Sequence, residues 1–465
     1  MVLTSSAYFI FLAGIFLLYW PVAKKRSLAL AVLLLANLFF YAKWDLFYLW
    51  MIPAAATVDY CLGLAIGKAK HGALRLGLLL GSVAMNVGIL VGFKYMPFLL
   101  ENYTAFTGHA VAKWTWTFPL GISFYTFQSL TYTIDIYRRD AKPTGSLLAY
   151  LAGVSFFPTT LAGPITRVAT LLPQFEKPKS LSDVDGGKAL FRIAHGLVKK
   201  FLIADYLADN LVNRVFDFPA LYTGSEVLLG VYGYALQLYF DFSGYTDIAI
   251  GSALLLGLKL PENFNQPYAA KNLSDFWRRW HISLSNWLRD YLYFSFPYMR
   301  TKWMPYIAII VTMLVGGLWH GPSWNFVIWG ALHGAGQAIV RGWQAIRGGV
   351  GLKARWATFA ASFFTVQFVC FAWIFFRAGT LESALKIMDR IASGTVGFSN
   401  ISAPIQMILA IAIAGHYLPP PWWRWTQEKF ATAPFYAQAA ALMLLLIGIQ
   451  YVATTGAAPF IYTKF

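Results

Sequence analysis

Long apolar runs separated by short basic loops set the reading of this chain. Met1–Ala23, Leu76–Phe93, Met304–Val340, Trp356–Phe376 and Ile401–Trp423 contain no Asp, Glu, Lys or Arg, and each supplies the roughly 20 apolar residues that cross a bilayer. Together with weaker runs they predict helical spans near 5–22, 28–42, 46–66, 76–99, 117–136, 146–163, 188–205, 225–257, 304–319, 323–341, 356–376, 402–418 and 435–453, about thirteen candidates in all. Two stretches break the pattern. Residues 259–303 carry Pro261, Asn263, Asn265, Pro267 and Lys271 and then DFWRRWHISLSNWLRD. They are too polar to face lipid, which predicts a cytoplasmic-side or re-entrant element buried against protein. In GGLWHGPSWNFVIW, Gly316–Trp329, glycine and proline interrupt an apolar run. That predicts a helix broken at membrane depth beside a protein-lined cavity.

Composition supports a polytopic all-α membrane protein: of 465 residues, 58% are hydrophobic and only 12% charged. With no fixed-period repeat, linker or low-complexity tail, residues 1–465 are expected to form a single membrane-embedded domain. The net charge of +17 sits in short loops between apolar runs, a positive-inside distribution that speaks against nucleic-acid binding. Lys24-Lys25-Arg26, Lys68–Arg75 and Arg138–Lys142 alternate with poorly charged connections at Trp44-Asp45 and Glu101–Lys113, which predicts an outward N-terminus. The first run lacks a basic leader and an A-x-A site and is read as an uncleaved span. Cys61 and Cys370 give neither a disulfide framework nor metal-ligand spacing, and no metal site is expected.

Candidate chemistry gathers in the two irregular stretches. If Asp275–Asp290 is helical, Trp277, His281, Leu284 and Leu288 share one face and Arg278, Ile282, Ser285 and Arg289 the next. Asn272 or Ser274 can cap its start, and Asp275 and Arg279 make a favourable i,i+4 pair. Two readings stand for this segment. It is an interfacial helix with arginines on lipid phosphates, or a wall from which His281 faces a cavity while Lys271, Arg278, Arg279 and Arg289 form a rim for donor phosphates. His320 is an ionisable group inside an uncharged run, hence a candidate site residue and general base; His333 is expected to be structural. Trp277, Trp319, Asn325, Gln128, Tyr132, Asp241 and Ser243 are candidate cavity-lining residues, with interhelical hydrogen bonding the alternative for the polar ones.

Beyond RRWHISLSNWLRDYLY and GGLWHGPSWNFVIWG, the chain contains PLGISFYTFQSLTYTIDIYR, FPTTLAGPITR, YFDFSGYTDIAIG, NFNQPY and WIFFRA in order. Over roughly residues 1–380 this set resembles the membrane-bound O-acyltransferase (MBOAT) superfamily, specifically its bacterial alginate and polysaccharide O-acetyltransferase branch. The resemblance implies about eleven transmembrane helices plus re-entrant elements around a central tunnel, with the motif-bearing core at about 115–380. It implies that His320 is the essential histidine and His281 its partner. It further implies acetyl transfer from a cytoplasmic thioester, acetyl-CoA, with no tightly bound cofactor, for O-acetylation of an extracytoplasmic polysaccharide. The expected setting is the bacterial inner membrane, among membrane lipid, an extracytoplasmic serine-hydrolase-like acetyltransferase and polysaccharide synthesis machinery. The alternatives are acyl transfer, such as D-alanyl, from an acyl carrier protein to a cell-wall polymer, or a transporter or export component. Where the branch usually reads F-P-Q-L-V-A-G-P-I, Thr159 and Thr160 stand in place of Gln-Leu, so no role is carried over to that position.

Overall fold

A computed structural model describes residues 2–43, 46, 49–116, 121–177, 180–296, 301–348 and 354–452. The expected connection at Trp44-Asp45 and the first residues of the expected 117–136 span lie outside these. Among the described residues every regular element is helical. The chain's contacts group it into two compact units, residues 1–193 with 246–261, and residues 194–245 with 262–465.

The first unit contains α1 (Ser6–Tyr19), α2 (Arg26–Ala42), α3 (Met51–Lys68), α4 (Gly72–Leu90), α5 (Met96–Thr107), α6 (Ile122–Arg138), α7 (Leu147–Val154), α8 (Phe157–Thr160), α9 (Val168–Glu176) and most of α10 (Asp183–Leu197). A π-turn at Val91–Tyr95 joins α4 to α5. The resulting run, Gly72–Thr107, is long and apolar enough to cross a membrane. The three helices α3, α4 and α6 meet around buried Asp59, whose carboxylate accepts from Ser82 Oγ (2.6 Å), Asn86 Nδ2 (2.7 Å) and Ser129 Oγ (2.6 Å). Three donors satisfy a charge-bearing group that would otherwise be costly there.

The expected 146–163 span is not one helix. FPTTLAGP places Pro158 and Pro164 where amide donors would be needed, and the chain turns between α7 and α8. Asn37 of α2 closes that turn, donating from Nδ2 to Ala152 O (3.0 Å) and accepting Phe157 N–H at Oδ1 (2.9 Å).

The second unit contains α11 (Asn213–Asp217), the start of the long α12 (Gly224–Leu255), α13 (Leu273–Trp277), α14 (Ile282–Trp287), α15 (Met304–His320), α16 (Trp324–Ile346), α17 (Arg355–Arg377), α18 (Leu381–Ala392), α19 (Ala403–Tyr417), α20 (Pro420–Ala431) and α21 (Phe435–Val452). Within it Arg355–Arg377 is long and apolar enough to span. Pro420–Ala431 and Phe435–Tyr451 pass the same test only as a pair bent by 119°. The start of α12 is fixed by a capping box, Thr223-Gly-Ser-Glu226: Thr223 N–H donates to Glu226 Oε2 (2.8 Å) and Glu226 N–H to Thr223 Oγ1 (3.3 Å).

Candidate active site

Glycine builds the first half of the site. A Cβ on Gly317 would strike the Phe326 carbonyl, one on Gly330 the Met313 carbonyl, and one on Gly321 the Phe326 ring. These positions therefore let α15 and α16 cross at backbone distance, and the break at Gly321-Pro322-Ser323 turns the chain as the sequence predicts. His320 is the last residue of α15 and is 2% exposed. Its ring lies 5.1 Å from Trp319, 5.0 Å from Trp329, 5.0 Å from Phe376 and 6.3 Å from Phe326, centroid to centroid. Four aromatic rings thus exclude bulk water from an imidazole and fix its plane.

The second half departs from the sequence reading. Asp275–Asp290 does not continue as one helix: α13 ends at Trp277, α14 begins at Ile282, and His281 between them has φ 41° and ψ 56°. Trp277, His281, Leu284 and Leu288 therefore do not share a helical face. The cause is a competing strap, residues 263–268. Asn265 N–H donates to Arg279 O (2.9 Å) and Ile282 N–H to Asn263 O (2.9 Å), drawing the chain out of helical register. Asn263 Oδ1 accepts Ser283 N–H (3.1 Å) and Ser283 Oγ–H (2.8 Å) and lies 3.1 Å from His281 Nδ1. An oxygen only accepts, so Nδ1 carries the proton and the Nε2 lone pair of the neutral ring faces the other way. His281 is fully buried, edge-on to Phe242 at 4.7 Å, and 5.9 Å from Trp319. Trp319 is thus the ring that both candidate histidines touch.

Of the other expected residues, Trp277 belongs to the same aromatic cluster, its Nε1 donating to His333 Nδ1 (3.2 Å) while its ring packs on Trp329 (5.7 Å). His333 is thereby held within that cluster. Asn325 Nδ2 donates to Ala378 O (2.7 Å) at the foot of α17. Asp241 lies with Asp205 on Lys200 Nζ, each at 2.8 Å, a buried triad; Ser243 is buried two residues further along α12. Gln128 and Tyr132 lie in the first unit, where Gln128 Nε2 donates to Thr159 Oγ1 (3.0 Å) and Tyr132 packs on Tyr150 (4.4 Å).

The cationic side chains are partly matched by acids. Arg278 and Arg279 approach Asp275 at 3.5 and 3.1 Å and Arg289 engages its neighbour Asp290 at 2.7 Å, while the backbone N–H of exposed Lys271, not its ammonium, donates to Asp275 Oδ2 (3.1 Å). Asn272, one of the two expected caps, accepts Asp275 N–H (2.9 Å). Burial pushes the Asp275 carboxyl up, but the Lys271 N–H and the Arg279 and Arg278 guanidiniums outweigh it and hold the group below the usual carboxylate range. Two positions that hold this region escaped the sequence: Asn263 looks like a loop asparagine, and His416 follows the last recognisable motif, and long-range hydrogen bonds reveal both.

Helices with charge-free runs, among the described residues, and two buried histidines on either side of one tryptophan define a helical protein of membrane type with a candidate site. Residues 137–384 match the family described as MBOAT, membrane-bound O-acyltransferase family. The chain is 39% identical over 400 residues to the probable alginate O-acetylase AlgI of Azotobacter vinelandii, covering 83% of this chain and 77% of that one. It is 37% identical over 399 residues to the peptidoglycan O-acetyltransferase of Helicobacter pylori (80% and 74% covered). With the teichoic acid D-alanyltransferase of Bacillus subtilis it shares 30% over 311 residues (64% and 76% covered). The chain belongs to the membrane-bound O-acyltransferase family, and it is an acyltransferase of the bacterial inner membrane.

Proposed function

We propose that the protein moves an acetyl group from acetyl-CoA on the cytoplasmic side to a hydroxyl presented outside, for O-acetylation of a polysaccharide. The observation that carries this reading is the pair of buried histidines flanking Trp319. His320 is the general base that takes the proton of the attacking hydroxyl. His281, its Nδ1–H held by Asn263, presents the Nε2 lone pair to the reacting groups and orients the donor as an acceptor, while the proton that His320 takes from the hydroxyl returns to the leaving thiolate. The Nδ2 of Asn263 is buried with no hydrogen-bond partner among the described residues, which makes it a donor suited to the carbonyl oxygen as charge develops there. Lys271, Arg278, Arg279 and Arg289 hold the donor phosphates, while Trp277, Trp319, Asn325, Asp241 and Ser243 line the path. Arginine suits that task because its fork meets phosphate oxygens in pairs.

The same reading places about eleven spans in the membrane with the N-terminus outward. It passes the acetyl group to a serine-hydrolase-like extracytoplasmic partner within a polysaccharide synthesis system. Support for acetyl rather than D-alanyl comes from the higher identity and wider coverage shared with the O-acetylating relatives.

The test is a donor competition with purified protein in lipid. Release of thiol from acetyl-CoA and from a D-alanyl carrier protein is followed with and without the acceptor partner. Partner-stimulated release from acetyl-CoA alone is the expected result. Release from the carrier protein alone would replace the acetyl reading with the D-alanyl one.

A further inference from the structure

Three described residues other than glycine have positive φ, and two of them, Gln266 (46°) and His281 (41°), are tied to one strap. Backbone of this kind is costly and persists only where its surroundings over-determine it. Asn263 over-determines His281. The strap is held by Tyr268 Oη, which donates to Ala235 O (2.6 Å), and by α19, which lies beyond the family match at 137–384. Gln266 Nε2 donates to His416 O (3.1 Å) and Leu418 O (2.8 Å), the unpaired carbonyls at the C-terminus of that helix. Tyr268 N–H donates to His416 Nε2 (3.2 Å), and Tyr417 Oη donates back to Tyr268 O (3.0 Å). His416 is 2% exposed, with Tyr239 edge-on at 4.7 Å and Tyr268 at 5.2 Å, so its ring cannot turn away from this bond. Accepting at Nε2 requires a neutral ring protonated on Nδ1.

We propose that His416 is a positioning residue for His281: the end of α19 latches residues 266–268, the strap transmits that fix to Asn263, and Asn263 seats the imidazole. The proposal rests on the reading that His281 serves in acyl transfer. It assigns a function in the reaction to a helix that carries none of the family motifs.

The test compares wild type, His416→Phe, His416→Gln, His281→Ala and the double variant His281→Ala/His416→Phe. The readout is partner-stimulated CoA release from acetyl-CoA in lipid, at matched monodispersity and melting temperature. Phenylalanine keeps the ring but removes the acceptor; glutamine returns an acceptor near the Nε2 position. His416→Phe is expected to lower kcat about 10- to 100-fold, with the donor KM within about two-fold, because a displaced reacting group loses rate rather than binding. His416→Gln is expected to recover most of that loss. In the His281→Ala background His416→Phe is expected to cost nothing more, since its effect passes through His281.

Wild-type kcat in His416→Phe, or an equal further loss on top of His281→Ala, would overturn the latch while leaving the reading of His281 intact. Wild-type turnover in His281→Ala would instead remove that reading and the latch with it. Should His416→Phe not fold, Tyr417→Phe cuts a second latch bond at a half-exposed side chain. It is expected to show a smaller fall in kcat, likewise absent from the His281→Ala background, and an unchanged kcat would overturn the latch.

Discussion

His281 combines a costly backbone conformation with a buried ring, so its two roles can be pulled apart by substitution. Glycine relieves the left-handed backbone and alanine does not. His281→Gly is therefore expected to melt higher than His281→Ala, by about 1 kcal/mol at the midpoint, while both lack the imidazole and lose turnover alike. Equal stability would mean that the strap no longer enforces the φ seen here. Asp275 adds a pH dependence close by. Its folded pKa is held below the unfolded value of about 3.9, so its stabilisation is complete above that value and is lost as the pH falls through the folded one. Asp275→Asn is expected to flatten the acid limb of a stability-against-pH curve below about pH 5; an unchanged acid limb would show that the Lys271–Arg279 turn does not depend on the carboxylate.

At the scale of elements, the hairpin of α15 and α16 depends on glycines that meet backbone, not yielding side chains. Gly330→Ala puts a methyl on the Met313 carbonyl, and is expected to cost about 1–3 kcal/mol and to lower kcat by displacing His320. Wild-type melting and turnover would show that the crossing can open without loss. The capping box at the head of α12 also holds a distant loop, because Glu226 Oε1 accepts Asn400 N–H (2.8 Å) and Oε2 accepts Asn400 Nδ2 (3.2 Å). Glu226→Ala is expected to cost about 1 kcal/mol from the cap alone. Limited proteolysis near residues 395–400 should then accelerate, and an unchanged rate would show that the loop is held elsewhere.

For the whole molecule, candidate chemistry was legible where it contradicted composition. An imidazole in an uncharged run marked His320, which the fold buries, and glycine and proline in the same run foretold the break between α15 and α16. The helical character and most boundaries followed from hydropathy. Asp275–Asp290 was misread because periodicity is local: Asn263 and Asn265 take hydrogen bonds that a continuous helix would have used within itself. The tight turn held by Asn37 was hidden for the same reason, its partner lying 120 residues away. Family motifs located His281 without revealing its seat on Asn263, and no motif marks His416, whose contacts are long-range.

One measurement bears most directly on the site: single-turnover release of CoA from acetyl-CoA by the lipid-embedded protein with its acceptor partner, wild type against His320→Ala at matched folding. Loss of the base is expected to slow the step by at least about 100-fold with donor binding retained. Release by His320→Ala at the wild-type rate would contradict the assignment of His320 and move the chemistry elsewhere in the protein.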